Sequence, residues 1–98
     1  MADAPVIERN IGRVRLRGAI TLETVQALLD QTPALFDGTE LRVDWSNVRD
    51  ADSSAVALML AWMREAALRG TSITFENCSQ NLRTLIGLYD VGDLIACS

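Results

Sequence analysis

The spacing of apolar residues changes several times along this chain, and each change marks an element. Val6-Ile7-Glu8-Arg9 and the alternating Arg13-Val14-Arg15-Leu16-Arg17 read as the two strands of a hairpin. It turns at Asn10-Ile11-Gly12, where Asn and Gly suit a tight turn. Gly18 ends the second strand. The period then lengthens, with Leu22, Val25, Leu28 and Leu29 at helical spacing behind Thr21, which reads as an N-cap. Pro33 ends or kinks this helix near Thr32, and Ala34-Leu35-Phe36 continues the packing. Asp37-Gly38 turns into a third strand, Leu41 to Trp45, with Trp45 expected against the sheet.

A long helix is expected from about Ser53 to Leu68, closed by Gly70 as C-cap. The β-branched stretch Thr71-Ser72-Ile73-Thr74-Phe75-Glu76 is a fourth strand. Ser79 caps a last helix carrying Leu82, Leu85, Ile86 and Tyr89, and Val91-Gly92-Asp93-Leu94-Ile95 finishes the chain. This order predicts an α/β fold, a single domain over residues 1–98. A mixed sheet of about four strands has helices packed on it.

The face pattern of the long helix carries a functional expectation. At about 100° per residue, Val56, Met59, Leu60, Met63 and Ala67 share one face and should cover the sheet. Ser54, Leu58, Ala61, Glu65 and Arg69 then lie opposite, with Trp62 at their edge. Leu58 and Trp62 are thus expected on the outside, beside the hydroxyls of Ser53 and Ser54. An aromatic and a leucine near a polar helix start have the composition of a partner-binding patch.

Composition narrows the classes. At 98 residues with 49% hydrophobic and 22% charged positions, the chain suits one globular domain rather than a disordered one. Net charge is −4, and all nine basic residues are arginines. An acidic chain without a basic cluster argues against nucleic acid and against direct binding of anionic lipid. The stripe Arg13, Arg15, Arg17 reads as the solvated face of a strand. The acidic start Met1-Ala2-Asp3-Ala4-Pro5 is unlike a signal peptide. The run Ala55 to Met63 is shorter than the ~20 residues that span a bilayer, so no direct membrane insertion is expected. Cys78 and Cys97 lack CxxC spacing and there is no histidine to join them, which points to reduced thiols in a cytoplasmic setting without a metal site.

Enzyme chemistry has little to work with. The commonest general base is missing, neither serine has an evident activating partner, and no glycine-rich phosphate loop is present. Asp50 and Asp52 could be imagined as a carboxylate pair, but helix capping explains them better. No catalysis, cofactor or metal is expected. What stands out is Asp50-Ala51-Asp52-Ser53-Ser54-Ala55, where a strand becomes a helix. Unpaired backbone N–H groups and the macrodipole favour an anion there, so the hydroxyls suit a polar contact or a phosphate switch.

Three segments carry a resemblance: Leu16-Arg17-Gly18-Ala19-Ile20, Val43-Asp44-Trp45-Ser46-Asn47-Val48, and Asp52-Ser53-Ser54-Ala55-Val56-Ala57-Leu58. Together they resemble the STAS domain family (sulphate transporter and anti-sigma factor antagonist) over essentially the whole chain. Ala55 stands where the family's Asp-Ser-Ser-Gly pattern has glycine, a departure from the phospho-switch version of the motif. Ile73-Thr74-Phe75-Glu76-Asn77 and Asn81-Leu82-Arg83-Thr84-Leu85-Ile86-Gly87-Leu88-Tyr89-Asp90-Val91 are most similar to the MlaB branch. That branch implies a non-catalytic cytoplasmic subunit of an ABC transporter for phospholipid, acting in outer-membrane lipid asymmetry. It would dock on the ATPase subunit through Asp52, Ser53, Ser54, Leu58 and Trp62, and so lie at the inner face of the cytoplasmic membrane. The alternative the family implies is an anti-sigma factor antagonist, with an anti-sigma factor kinase as partner and phosphorylation at Ser54 or Ser53. Simple N-capping is the plainer account of both serines.

Overall fold

Alternation along Arg13–Ile20 puts Val14 and Leu16 into the core and Arg13, Arg15 and Arg17 into solvent, and the sheet is built around that strand. The computed structural model describes residues 5–10, 12–36, 38–89, 91–92, 95 and 97. Strand β1 (Val6–Asn10) pairs antiparallel with β2 (Arg13–Ile20), Glu8 opposite Arg15. Gly12 has φ +67°, and its carbonyl accepts the Arg42 N–H at 2.9 Å, which ties the hairpin turn to the next strand. Ile11 of that turn lies outside the described residues, as do Asp37 of the expected Asp37-Gly38 turn and Asp93 and Leu94 near the end.

Strand β3 (Glu40–Ala51) runs parallel to β2, and β4 (Ser72–Glu76) runs parallel to β3. The sheet order is β1-β2-β3-β4, one antiparallel pair followed by two parallel ones. This is the expected four-strand mixed sheet. Strand β3 extends six residues beyond the expected end at Trp45. Ser46 to Ala51 keep pairing with β2, reaching Ala51 opposite Ile20 through two register shifts. Those irregularities break the period of two, so the alternation stops before the strand does.

The helices share one face of the sheet. Helix α1 (Val25–Asp30) and α2 (Thr32–Leu35) divide at Gln31, and Pro33 lies in the first turn of α2, as its locked φ allows. Thr21 is not the cap. Thr21 to Thr24 form a separate turn, in which the buried Thr24 hydroxyl donates to Ala19 O at 2.8 Å and accepts the Thr21 N–H at 2.9 Å.

Helix α3 (Ser53–Arg69) has the expected bounds and ends on Gly70 at φ +67°. Its orientation differs from expectation. Leu58 and Trp62 are fully buried, with Ala55, Met59 and Ala66 on the same stripe. Leu60 and Met63 are half-buried and Ala67 is exposed, so the buried stripe is turned by about one residue. Two features account for it. The helix is apolar almost all round in its first turns, so the pattern cannot choose a face. Helices α1 and α4 (Gln80–Leu88) also pack against it, and the Trp62 indole N–H donates to Thr32 Oγ1 at 2.9 Å. Leu58 and Trp62 are therefore core residues, not an exposed patch.

Trp45 lies in the core as expected, edge-on to Phe75 at 6.4 Å between ring centres. The opposite face of the sheet is open and charged. Arg15–Asp44 at 3.3 Å, Arg13–Glu76 at 3.2 Å, Arg42–Glu40 at 2.9 Å and Arg17–Glu8 at 3.7 Å lie across it. Such pairs contribute ~0–1 kcal/mol each, so they solvate this face more than they stabilise it. Cys78 and Cys97 are joined in a disulfide, their Cα atoms 6.0 Å apart, in contrast to the separate thiols expected from spacing. The fold brings together what lies 19 residues apart in sequence. No described helix is long and apolar enough to cross a membrane.

Candidate docking site at the start of helix α3

The parallel strands β2 and β3 end side by side, so the loops after Ile20 and Ala51 meet. Asp52 holds them together. Its backbone is extended, and its Oδ1 accepts the Ser54 N–H at 2.8 Å, which caps α3. Its Oδ2 accepts the Leu22 N–H from the other loop at 3.0 Å, while its own N–H donates to Ile20 O at 3.3 Å. Burial pushes the Asp52 carboxyl up, but the Leu22 and Ser54 hydrogen bonds outweigh it and leave the pKa below the ordinary value. Asp52 is therefore a charged, doubly occupied cap.

The two serines differ. Ser53 is exposed on the first turn of α3. Ser54 is half-buried, its N–H bonds Asp52, and its hydroxyl helps to lower the Asp52 pKa. Capping is thus done by Asp52, and it does not account for either serine. Leu22, 79% exposed, stands on the loop whose backbone Asp52 holds, so an apolar side chain and a hydroxyl flank one fixed carboxylate. Asp50 is exposed just before them. Asn81 of α4 donates to Ala51 O at 3.2 Å, which ties a third element to the loop.

Of the five residues expected at the contact, the structure brings Asp52, Ser53 and Ser54 to one surface and leaves Leu58 and Trp62 beneath it. Leu22 and Asn81 were not foreseen. Leu22 fits the helical spacing of Val25 and Leu29, which suggests a core position, and nothing in Asn81 signals a contact 30 residues away. Among the described residues, no three cysteine or carboxylate side chains gather where they could hold a metal ion. Asp44, the most buried carboxylate among the described residues, serves the sheet. Burial raises its pKa, but bonds from Asn77 Nδ2 at 3.0 Å, the Ser46 N–H at 2.9 Å and Arg15 Nε at 3.3 Å bring it down to about 2.

Comparison with known proteins identifies the fold. The anti-sigma factor antagonist SpoIIAA in its unphosphorylated form is similar with a TM-score of 0.70 and 23% identity, over 97% of this chain and 88% of that one. The Bacillus cell fate determinant SpoIIAA in its phosphorylated form gives 0.67 and 23%, over 97% and 91%. At that identity the likeness is one of fold. No curated protein matches the sequence. The family model described as "Mlab, STAS domain" matches residues 4–96, nearly the whole length, and the chain belongs to the STAS domain family.

Proposed function

We propose that this domain is a non-catalytic docking subunit of the MlaB type, which binds the ATPase subunit of an ABC transporter for phospholipid and supports its assembly and activity. The observation that carries this reading is the surface around Asp52: Ser53 exposed on one side, Leu22 exposed on the other, both set by one buffered carboxylate. Leu22 takes the apolar part expected of Leu58 and Trp62, which are core residues. A small fixed patch with a central apolar side chain and a hydroxyl suits docking rather than turnover. The description of the matching family, which names Mlab, supports the MlaB type. The subunit would work in the cytoplasm, held at the inner face of the membrane through its partner. Co-purification with the ATPase subunit tests the reading. Leu22→Ala and Ser53→Glu should each lower recovery at least about tenfold, the ~1.4 kcal/mol of one good contact. Full recovery with both variants rejects this docking surface.

A second reading has a specific observation behind it. SpoIIAA, the similar fold, has a phosphorylated form. A phosphate on the half-buried Ser54 would meet the Asp52 carboxylate that its backbone N–H now bonds, and nearly two added charges would break that cap. On this reading the domain is an anti-sigma factor antagonist. Phosphate transfer to Ser54 by an anti-sigma factor kinase would favour it, and no transfer would favour the transporter.

A further inference from the structure

The Cys78–Cys97 bond joins two parts of the fold that lie 19 residues apart. Cys78 is buried in the short link between β4 and α4, and Cys97 is half-buried. The backbone of Cys97 forms a parallel bridge with Phe75, and nearby Ile95 is in the core. The bond thus fastens Cys97, whose backbone lies against the outer side of β4, to the start of α4. That start is tied outward by Asn77 and Asn81 and is held within itself by Ser79 and Arg83. Asn77, at φ 60°, donates to Asp44, Ser79 Oγ accepts the Leu82 N–H at 3.1 Å, and Arg83 Nε donates to the Cys78 carbonyl at 3.3 Å. Asn81 then reaches Ala51 O, next to Asp52.

We propose that the Cys78–Cys97 pair is a reversible redox site, a clasp whose closure fixes the start of α4 and, through Asn81, the order of the loop at residues 50–54. The effect on docking and the reducing compartment rest on the function proposed above; the position of the bond in the fold does not. In a reducing compartment a protein disulfide is normally transient and regulatory, and glutathione is the chemical class of thiol that would open this one. A glutathione thiolate attacks the sulfur of Cys97, the more exposed of the two. A mixed disulfide forms, the bond to Cys78 breaks, and the Cys78 thiolate leaves and takes a proton. A second glutathione thiolate attacks the glutathione sulfur of the mixed disulfide, releasing glutathione disulfide and the Cys97 thiol. Two electrons and two protons pass to the cysteine pair, and two glutathiones become one disulfide. Closure is the reverse.

The test uses the whole chain without any partner. The protein is equilibrated over a range of reduced to oxidised glutathione, quenched in acid, alkylated and weighed. Both the bridged and the dithiol forms should be populated within the range set by cytosolic glutathione. Hydrogen exchange on the two forms should show amides at 50–54, 77–83, Ile95 and Cys97 at least about tenfold faster in the dithiol, with those of Arg13–Arg17 unchanged. Cys97→Ser should show the dithiol profile at every ratio, leaving the buried Cys78 in place. Asn81→Ala should speed exchange at 50–54 in both forms and leave the thiol equilibrium where it was. A bond that stays closed in excess glutathione, one that never forms, or equal exchange at 50–54 in the two forms overturns the proposal. None of these results depends on an ATPase partner.

Discussion

The first turn of α3 and the two turns after it are neighbours in sequence and opposites in role. The first turn carries Ser53 into solvent and is fixed from outside, by the Asp52 carboxylate. The next two carry Leu58, Met59 and Trp62, all fully buried, and are fixed by packing against the sheet, α1 and α4. A helix can thus present a surface at its end while the rest of it builds the core. The apolar residues nearest a candidate site in sequence are then the wrong place to look for its apolar contact. That contact comes from another loop, at Leu22, because two parallel strands end together.

The largest test of this contrast is to truncate the buried turns. Trp62→Ala should cost ~3–5 kcal/mol and Leu58→Ala ~2–5 kcal/mol in chemical denaturation, whether or not a partner is present. Trp62 has the added loss of its bond to Thr32. A loss below ~0.5 kcal/mol for either would return that side chain to the surface.

Acid should separate the carboxylates that hold the structure from those that only face solvent. Asp44 and Asp52 both have folded pKa values below the ordinary aspartate value, so the stability they provide is complete above it and is lost as pH falls. For Asp44 the loss runs from 3.8 down to about 2. Denaturant midpoints should therefore fall over that window, and Asp44→Asn should flatten the fall while lowering stability at neutral pH. An unchanged acid profile in Asp44→Asn would mean that its hydrogen bonds do not favour the charged form.

Asp52→Ala removes one cap and the bond that joins two loops. It should cost ~1–2 kcal/mol and speed hydrogen exchange at the Leu22 and Ser54 amides. Faster exchange at Ser54 alone would show that the loops are held together by something other than Asp52. The smallest effect on folding belongs to Ser53→Ala, within ~0.5 kcal/mol, since the side chain is exposed and does not cap α3. A larger loss would make Ser53 a structural residue and weaken its place in the docking surface.

Where local chemistry decides, the sequence was readable. Gly70 in the left-handed region and Ser79 at an N-cap set the end of α3 and the start of α4, and both act within one turn. The alternation from Arg13 to Arg17 identified the solvated sheet face. Legibility failed where distant parts decide. Strand β3 continues through Ser46 to Ala51 because β2 is there to pair with it, not because its residues alternate. The rotation of α3 depends on α1 and α4, and a helix apolar on most sides does not encode it. In the candidate site, the run from Asp52 to Ser54 was visible as a motif, but Leu22 and Asn81 join it only through tertiary contacts, and so do Cys78 and Cys97.

Both outer strands of the sheet bear on how the molecule behaves in a crowded solution. An exposed strand edge is a template on which another chain can add, the first step of aggregation. Here β1 is only five residues long, follows Pro5, and carries Glu8 and Arg9. On the far side, the Cys97 backbone occupies a position beside Phe75 of β4. A short, charged edge on one side and an edge blocked at Phe75 on the other both disfavour strand addition by further copies, which leaves contacts with other proteins to side chains.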